Sequence, residues 1–584
     1  MDLLKNKDKL EKAIIKHAII NAVQHNNQAN PKAIIGKIIA EFPDSKKDMK
    51  NISIKINKLT SEVNKLSAND QNKLYEDKFK EDFEQKQEQK KQEQEEQKEN
   101  MKDLDNVDKK KGVIMRLAPS PSGPMHIGHA ITGGLTSLYV KKYGGKFILR
   151  IEDTNSDNIY TPAYKLLPED ADWVFGNVTD VWIQSDRLQI YYDYAEKLIN
   201  LDKVYICTCS QEQFKKYSES MKDCPCRKNT IKQNLELWQK MFDKKKGFKE
   251  GEAVVRFKAN MQDPNPAMRD FPLVRINDNK HPRQNYKYRV WPLMNLCVTV
   301  DDIEAKMTHI IRAKDHADNA KRQKMMYDAL GIKKFPETYF LGRWNFEGLE
   351  ISCSKTKARI EKGEFSGWDD IRVPFLRALR RRGYQPEAFM KCTKLTGLSP
   401  VDKTIKGDDF FKMLNAFNKE IIDPIAKRLF IITNKKAIKI KNAPERKIEL
   451  DLHPDAHKGG RKFVTKDSFY IEKSDYDNIM KNKTKVHRLM DCCNFIVEKD
   501  KFVFHSQDYE DYKNAKNRGI ILHFLPNDKS NIDIKILDEN AKWIKAIAEP
   551  SVSKIKQDEI VQFERFAFCK LDNKKNLEFW YGHR

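Results

Sequence analysis

Long apolar runs are missing from this chain. Nowhere do 18 apolar residues follow one another, and the opening MDLLKNKDKL has neither the apolar stretch nor the small-residue cleavage site of a secretion signal. These absences predict a soluble, cytoplasmic protein with no membrane partner. Cysteine is scarce as well: ten in 584 residues are too few for a disulfide framework, and four of them crowd between 207 and 226. Between Phe83 and Met101 apolar side chains vanish altogether, so that stretch can bury no face and reads as a charged linker over 76–111.

What remains is large and basic. At roughly 150 residues per domain the length points to three to five folded units. Lys and Arg total 109 against 85 Asp and Glu, a net charge of +24, which favours a polyanionic partner such as nucleic acid. Residues 1–75 repeat apolar positions at helical spacing (Leu10, Ile14, Ala18; Ile34, Ile35, Ile38; Ile52, Ile56, Leu59, Val63) and predict three or four helices, with Asn30 and Pro31 opening the second. From Gly112 the texture becomes strand (VIMRLA), Pro/Ser/Gly turn, helix, strand (KFILRIE), the start of a parallel α/β unit. Beyond about residue 430, short alternating segments such as AIKIK, KIELDL and NFIVEKDKFVFH predict one or two β-barrels or sandwiches.

The sharpest motif is RLAPSPSGPMHIGH (116–129). A proline-stiffened turn delivers His126 and His129 to the start of a helix, where free N–H groups and the dipole favour phosphate, and Gly128 leaves room for a flat group on the backbone. Farther on, Ser352-Cys-Ser354-Lys355-Thr offers a lysine on a flexible stem, a point charge able to follow phosphates. CTC (207–209) and CPC (224–226) bring Cys207, Cys209, Cys224 and Cys226 together as four thiolates suited to a tetrahedral ion, with zinc the best fit.

The first motif resembles the HIGH signature of class I aminoacyl-tRNA synthetases, and APSPSGPMHIGHA looks like the archaeal glutamyl branch. The Lys355 segment resembles that class's second signature, a mobile KMSKS-like loop, with Ser352 where a first lysine often sits. The resemblance covers roughly 112–584, and 1–75 more loosely. It implies a split Rossmann-like catalytic domain (112–202 and 301–359), a zinc-bearing acceptor-stem insertion (203–300), a helical stem-contact segment (360–430), tandem anticodon-binding β-barrels (431–584) and a helical N-terminal appendix. It also implies ATP with Mg²⁺, L-glutamate and tRNA(Glu) as substrates, a monomer, and a tRNA requirement before activation. Whether tRNA(Gln) is also charged stays open.

Carried over residue by residue, the resemblance assigns ATP to His126, Gly128, His129, Ser354 and Lys355, with His126, His129 and Lys355 catalytic and forming a cationic cradle. It assigns glutamate to Arg116, Ser120, Glu152 and Arg312, the last as the guanidinium that selects the second carboxylate. Met294 and Val298 stand where bacterial-type relatives have a tyrosine and an asparagine, and Ile303 and Lys306 replace a histidine and a glycine, which predicts a differently shaped turn after Asp301 and Asp302. Arg461, Phe563 and Arg565 are candidates for contacting anticodon bases. A glutaminyl enzyme is the alternative; APSPSG in place of PPEPNG-like text and a charged residue at 312 stand against it. A non-catalytic tRNA-binding paralogue is the other, against which the intact His126, His129 and Lys355 argue.

Overall fold

The structure, a computed structural model, describes residues 7–24, 27–42, 49–80, 101–455 and 457–584, so most of the predicted linker, 81–100, lies outside the described residues. Two compact units divide at residue 101. In the first, helices Lys9–Gln24, Pro31–Glu41, Met49–Asn64 and Ala68–Lys78 close on one core of Ile14, Ala18, Ile34, Ile38, Ile56, Leu59 and Val63, as the periodicity predicts. Pro31 opens the second helix, where its missing N–H costs nothing.

The second unit is built on parallel strands. β1 (Val113–Leu117) pairs with β2 (Gly145–Ile151), which pairs with β3 (Asp180–Ile183). The central residues of β1 and β2 are buried on both faces, which is why those segments read as continuous apolar runs. Gly145, at φ +115°, turns the chain into β2 where a Cβ would lie 2.0 Å from the Val113 carbonyl oxygen. Residues 102–111 are part of this unit rather than a tether: Leu104 is buried, and the Asp105 carbonyl accepts from His309 Nε2 at 2.8 Å.

After β3 and helix Leu188–Asn200 the chain leaves the sheet for an antiparallel layer, β4 (Val204–Cys207), β5 (Val254–Phe257), β6 (Pro272–Ile276) and β7 (Val290–Pro292), paired in that order. It returns through helix Met294–Glu304 to β8 (His309–Ala313), which pairs in parallel with β9 (Glu337–Leu341). Thr308 stitches β8 beside β1, its N–H donating to the Ile114 carbonyl at 3.0 Å while its hydroxyl accepts from Ile114 N–H at 2.8 Å. The three-stranded sheet β1-β2-β3 and the pair β8-β9 thus lie side by side, with β8 next to β1 and the crevice of an open α/β arrangement between them. Trp238, Met241, Val255, Phe271 and Trp291 of the insertion share one core with Leu188 and Tyr191 of the helix that precedes it and Leu296 and Val300 of the helix that returns from it, which fixes the insertion to the catalytic unit.

The turn after Asp302 keeps a glycine-like shape without the glycine. Lys306 sits at φ +53°, and Met307 N–H closes on the Asp302 carbonyl at 2.9 Å. A lysine in that region costs about 1 kcal/mol, a local strain that the substituted turn absorbs.

Helices Leu376–Arg381, Pro386–Thr396 and Gly407–Ile422 follow. The rear is all-β, but nested rather than end to end. One seven-stranded sheet joins Lys427–Leu429 and Ile431–Ile432 to the last strands of the chain; the other is formed between them in sequence, from Lys435–Lys441 to Leu525–Pro526. Arg461 is buried there on Glu549 at 2.8 Å and over the Phe430 ring, and Phe563 is fully buried in the first sheet's core. Neither can stack on a base. Arg565 is half-exposed but held by Asp475 at 2.7 and 2.8 Å.

Candidate active site

The loop after β1 ends at His126, the N-cap of helix Ile127–Tyr143. Its Nδ1 accepts from Gly128 N–H at 3.1 Å, and His129 Nδ1 accepts from His126 N–H at 3.3 Å, so the two imidazoles close a reciprocal cap. The rings lie 4.0 Å apart. Ile127 N–H is taken by the Pro374 carbonyl at 3.3 Å. The first N–H groups of the helix are therefore occupied, not free as the sequence suggests.

This geometry decides the tautomers. With both Nδ1 atoms accepting, a neutral ring must carry its proton on Nε2. Burial holds His126 well below the ordinary histidine range, with His129 adding to the effect, and burial alone brings His129 down to about 4. The expected cationic cradle is thus, at neutral pH, a pair of uncharged imidazoles each left with one Nε2–H donor. Gly128 serves this arrangement: a Cβ there would meet the His126 ring at 2.9 Å.

Two cavities meet at this helix. One, of about 240 Å³, is lined by His126, Gly128, His129, Thr132, Gly342 and Trp344 among others. The second, of about 310 Å³, is lined by Arg116, Ser120, Glu152 and Arg312, together with His129, Thr132, Met294 and His316. His129, Thr132 and Ala313 border both, so the cavities adjoin across His129. All four residues assigned to the amino acid thus share one cavity at the C-terminal ends of β1, β2 and β8, where open α/β sheets bind ligands.

Beneath that cavity lies a charge lattice. Asp302 accepts from Arg150 Nη1 at 2.6 Å and from Arg116 Nε at 3.3 Å; Asp301 accepts from Arg187 Nε and from the Tyr191 hydroxyl, both at 2.9 Å. Burial would raise the Asp302 carboxyl, but Arg116 and Arg150 hold it below the usual carboxylate range. Glu152 is tied to Arg150 through one oxygen at 3.1 Å. Arg312 differs from its neighbours. Buried at 7 % exposure, it donates Nη1 to Gln323 Oε1 at 2.8 Å, and its Nε, like Arg116 Nη2, has no partner among the described residues. Burial and the like charge of Arg116 push its pKa down to about 10, still far above neutrality.

The second signature is the start of a helix, Cys353–Glu361, rather than a loop. Ser352 caps it, its hydroxyl accepting from Lys355 N–H at 3.4 Å, which gives that serine a local task where a lysine has none. Cys353 Sγ lies 3.8 Å from the Pro124 carbonyl oxygen, and Ile351 reaches the Gly128 position at 4.0 Å, so this helix abuts the His126 loop. Lys355 lines neither cavity; its side chain is 74 % exposed and 3.5 Å from Glu350. Ser354 is exposed.

In the insertion the sulfurs of Cys207, Cys209, Cys224 and Cys226 all lie within 4.8 Å of one another, and none is in a disulfide. Cys207 and Cys224 are 3.9 Å apart, Cys209 and Cys226 3.8 Å. An ion bound at about 2.3 Å by four thiolates at tetrahedral angles separates them by about 3.8 Å.

Sequence reasoning missed Thr132, His316, Gln323 and the Leu341–Trp344 wall (341–344). The text LGRW directly after a strand of the split sheet was the available signal for the last.

Residues 112–424 match the family model for the catalytic domain of class I tRNA synthetases (E and Q), and 426–509 and 497–572 match two anticodon-binding domains of the same class. The chain belongs to this family of class I tRNA synthetases. It is 38% identical over 580 residues to the glutamate–tRNA ligase of Methanocaldococcus jannaschii, covering 98% of this chain and 100% of that one. It is 39% identical to that of Pyrococcus abyssi, covering 96% and 97%. Among solved structures, a glutamate tRNA ligase from Elizabethkingia meningosepticum in complex with its amino acid is 19% identical, with a TM-score of 0.39 over 54% of this chain and 70% of that one.

The double cap separates stability from chemistry in a testable way. Asparagine at 126 or 129 keeps an acceptor in the Nδ1 position but removes the Nε2–H donor; glutamine does the reverse. The Asn variants should melt like the wild type and lose ~10²-fold or more in kcat, while the Gln variants should lose about 1 kcal/mol of stability and retain more activity. Because the folded pKa of His129 lies below its unfolded value, its stabilising effect is full above pH ~6.5 and is lost as pH falls towards about 4, and H129N should flatten that acid limb of the stability profile.

Proposed function

We propose that this chain ligates L-glutamate to tRNA(Glu) through a glutamyl-adenylate, releasing pyrophosphate and then AMP. The observation that carries the reading is the amino-acid cavity, where two guanidiniums that the protein does not fully satisfy and a partly exposed carboxylate adjoin a cleft lined by two imidazoles. Relatives named glutamate–tRNA ligase over nearly the full length support it.

In this reading the larger cavity holds glutamate, with its side-chain carboxylate on Arg312 and its ammonium on the remaining Glu152 oxygen, near Ser120. ATP occupies the smaller cavity, against Gly128, Gly342 and Trp344. The α-carboxylate oxygen attacks the α-phosphorus, that O–P bond forms, and the bond to the pyrophosphate oxygen breaks. Nε2–H of His126 and His129 donate to phosphate oxygens as charge develops, and Lys355, one helical turn from the His126 loop, leaves Glu350 for the departing pyrophosphate beside Ser354. Mg²⁺ accompanies ATP and neutralises phosphate charge. A terminal ribose hydroxyl of tRNA then attacks the mixed anhydride and releases AMP. No protein nucleophile is needed; positioning and electrostatics serve both steps.

The four cysteines would hold a structural zinc in the insertion that faces the acceptor end, and four protein ligands leave no position for a reacting water. The helical segment after 360 would contact the tRNA stem, the rear sheets its anticodon. The enzyme is read as a monomer.

Aminoacylation with labelled glutamate, ATP and separate tRNA(Glu) and tRNA(Gln) transcripts tests the reading. Glutamate should load onto tRNA(Glu), and Lys355→Ala should lower kcat by ~10²-fold with little change in KM for glutamate; full activity of that variant would show that the lysine has another role. Metal analysis of the purified chain should find one zinc per chain, absent from Cys224→Ser, and a metal-free wild type with normal acylation would remove the zinc assignment.

A further inference from the structure

Among the described residues the Arg312 guanidinium makes one hydrogen bond, Nη1 to Gln323 Oε1 at 2.8 Å. Gln323 lies in helix Ala317–Ala329 and is itself 1 % exposed, with Nε2 lacking a partner among the described residues. The nearby acids make their ion pairs elsewhere, Asp302 with Arg116 and Arg150, Asp301 with Arg187 and Glu152 with Arg150 through one oxygen, so that Asp302 and Glu152 act on Arg312 only at longer range. Among the described residues, none forms an ion pair with Arg312.

A buried arginine is ordinarily balanced by a carboxylate. At 323 the chain instead carries the neutral near-isostere of glutamate. An amide oxygen accepts a guanidinium N–H as a carboxylate does, so it fixes orientation equally well, but it brings no negative charge. Whether residue 323 is an amide or an acid therefore decides whether the positive charge is neutralised inside the protein or presented to the cavity. Arg312 and Arg116 both line the ligand cavity, and Arg312 Nε and Arg116 Nη2, buried, have no partner among the described residues, so the protein leaves this pair under-satisfied.

We propose that Gln323 is a specificity-determining positioning residue: it orients Arg312 through a neutral oxygen and thereby reserves the guanidinium charge for an amino acid bearing a second carboxylate. This rests on Arg312 being the site of that carboxylate. It is not a catalytic residue, since it lines neither cavity. An acid at 323 would satisfy Arg312 internally and repel a dicarboxylic substrate, while an uncharged amide substrate would lose little.

The test uses the full chain with Q323E and Q323M, reading kcat and KM for glutamate and glutamine on one tRNA transcript, with melting curves. Q323E should lower kcat/KM for glutamate by ~30-fold or more and the glutamate-over-glutamine ratio by at least ~10-fold. Q323M, which removes the hydrogen bond but adds no charge, should raise KM for glutamate by ~2- to 3-fold, leave kcat near wild type, and so keep the ratio within ~3-fold. Equal ratios in all three proteins, or loss of preference in Q323M, overturn the proposal. Should Q323E fail to fold, Q323M decides alone: an unchanged KM for glutamate overturns it. A wild type with no preference for glutamate would instead contradict the proposed function itself, whatever the variants do.

Discussion

Arg312 stands near the end of β8, buried, with one hydrogen bond to an amide oxygen and, among the described residues, no carboxylate in an ion pair with it. Burying an ion in this way costs several kcal/mol, roughly, unless it is paired, so the surrounding fold must be rigid enough to hold it. The rigidity comes from the split sheet and the helix that returns to it. Asp301 and Asp302, side by side near the end of helix Met294–Glu304, clamp Arg187, Arg150 and Arg116, and these tie together β1, β2 and the segment after β3. The insertion shares a core with the same helix.

The neighbouring cleft solves the opposite problem, presenting hydrogen-bond donors without charge. Each imidazole is used twice, once through Nδ1 to finish a helix and once through Nε2 towards the cavity. A helix that begins with its own side chains as caps needs no loop to be rebuilt when phosphate arrives. The one strong cation assigned to phosphate, Lys355, is kept outside on an exposed ion pair, a weak contact that is readily exchanged.

Much of this was legible in the sequence, for identifiable reasons. VIMRL and KFILRI are apolar throughout because both faces of a parallel sheet are covered, and the N-terminal helices show their period plainly. Arg116, Ser120, Glu152 and Arg312 were named from resemblance, and the fold gathers them from three strands. Other residues were hidden. Gln323 lies in a polar helix where spacing gives the face but not the neighbour across it. Arg461 and Phe563 have the composition of base-contacting groups, yet Phe563 alternates with Val561 as an inward position of its strand, burial that composition cannot report. The Lys355 segment resembles a loop signature, while Ser352, three residues before Lys355, has the spacing of a helix cap.

The central claim is that one guanidinium selects a carboxylate while two neutral imidazoles serve the phosphate. The most direct measurement is a crystal structure of the chain with a non-hydrolysable glutamyl-adenylate analogue. The account predicts the side-chain carboxylate on Arg312, with Gln323 still bound to Nη1, and the phosphate mimic within hydrogen-bond distance of Nε2 of His126 or His129. A side-chain carboxylate bound elsewhere, with Arg312 turned away from it, would contradict the account.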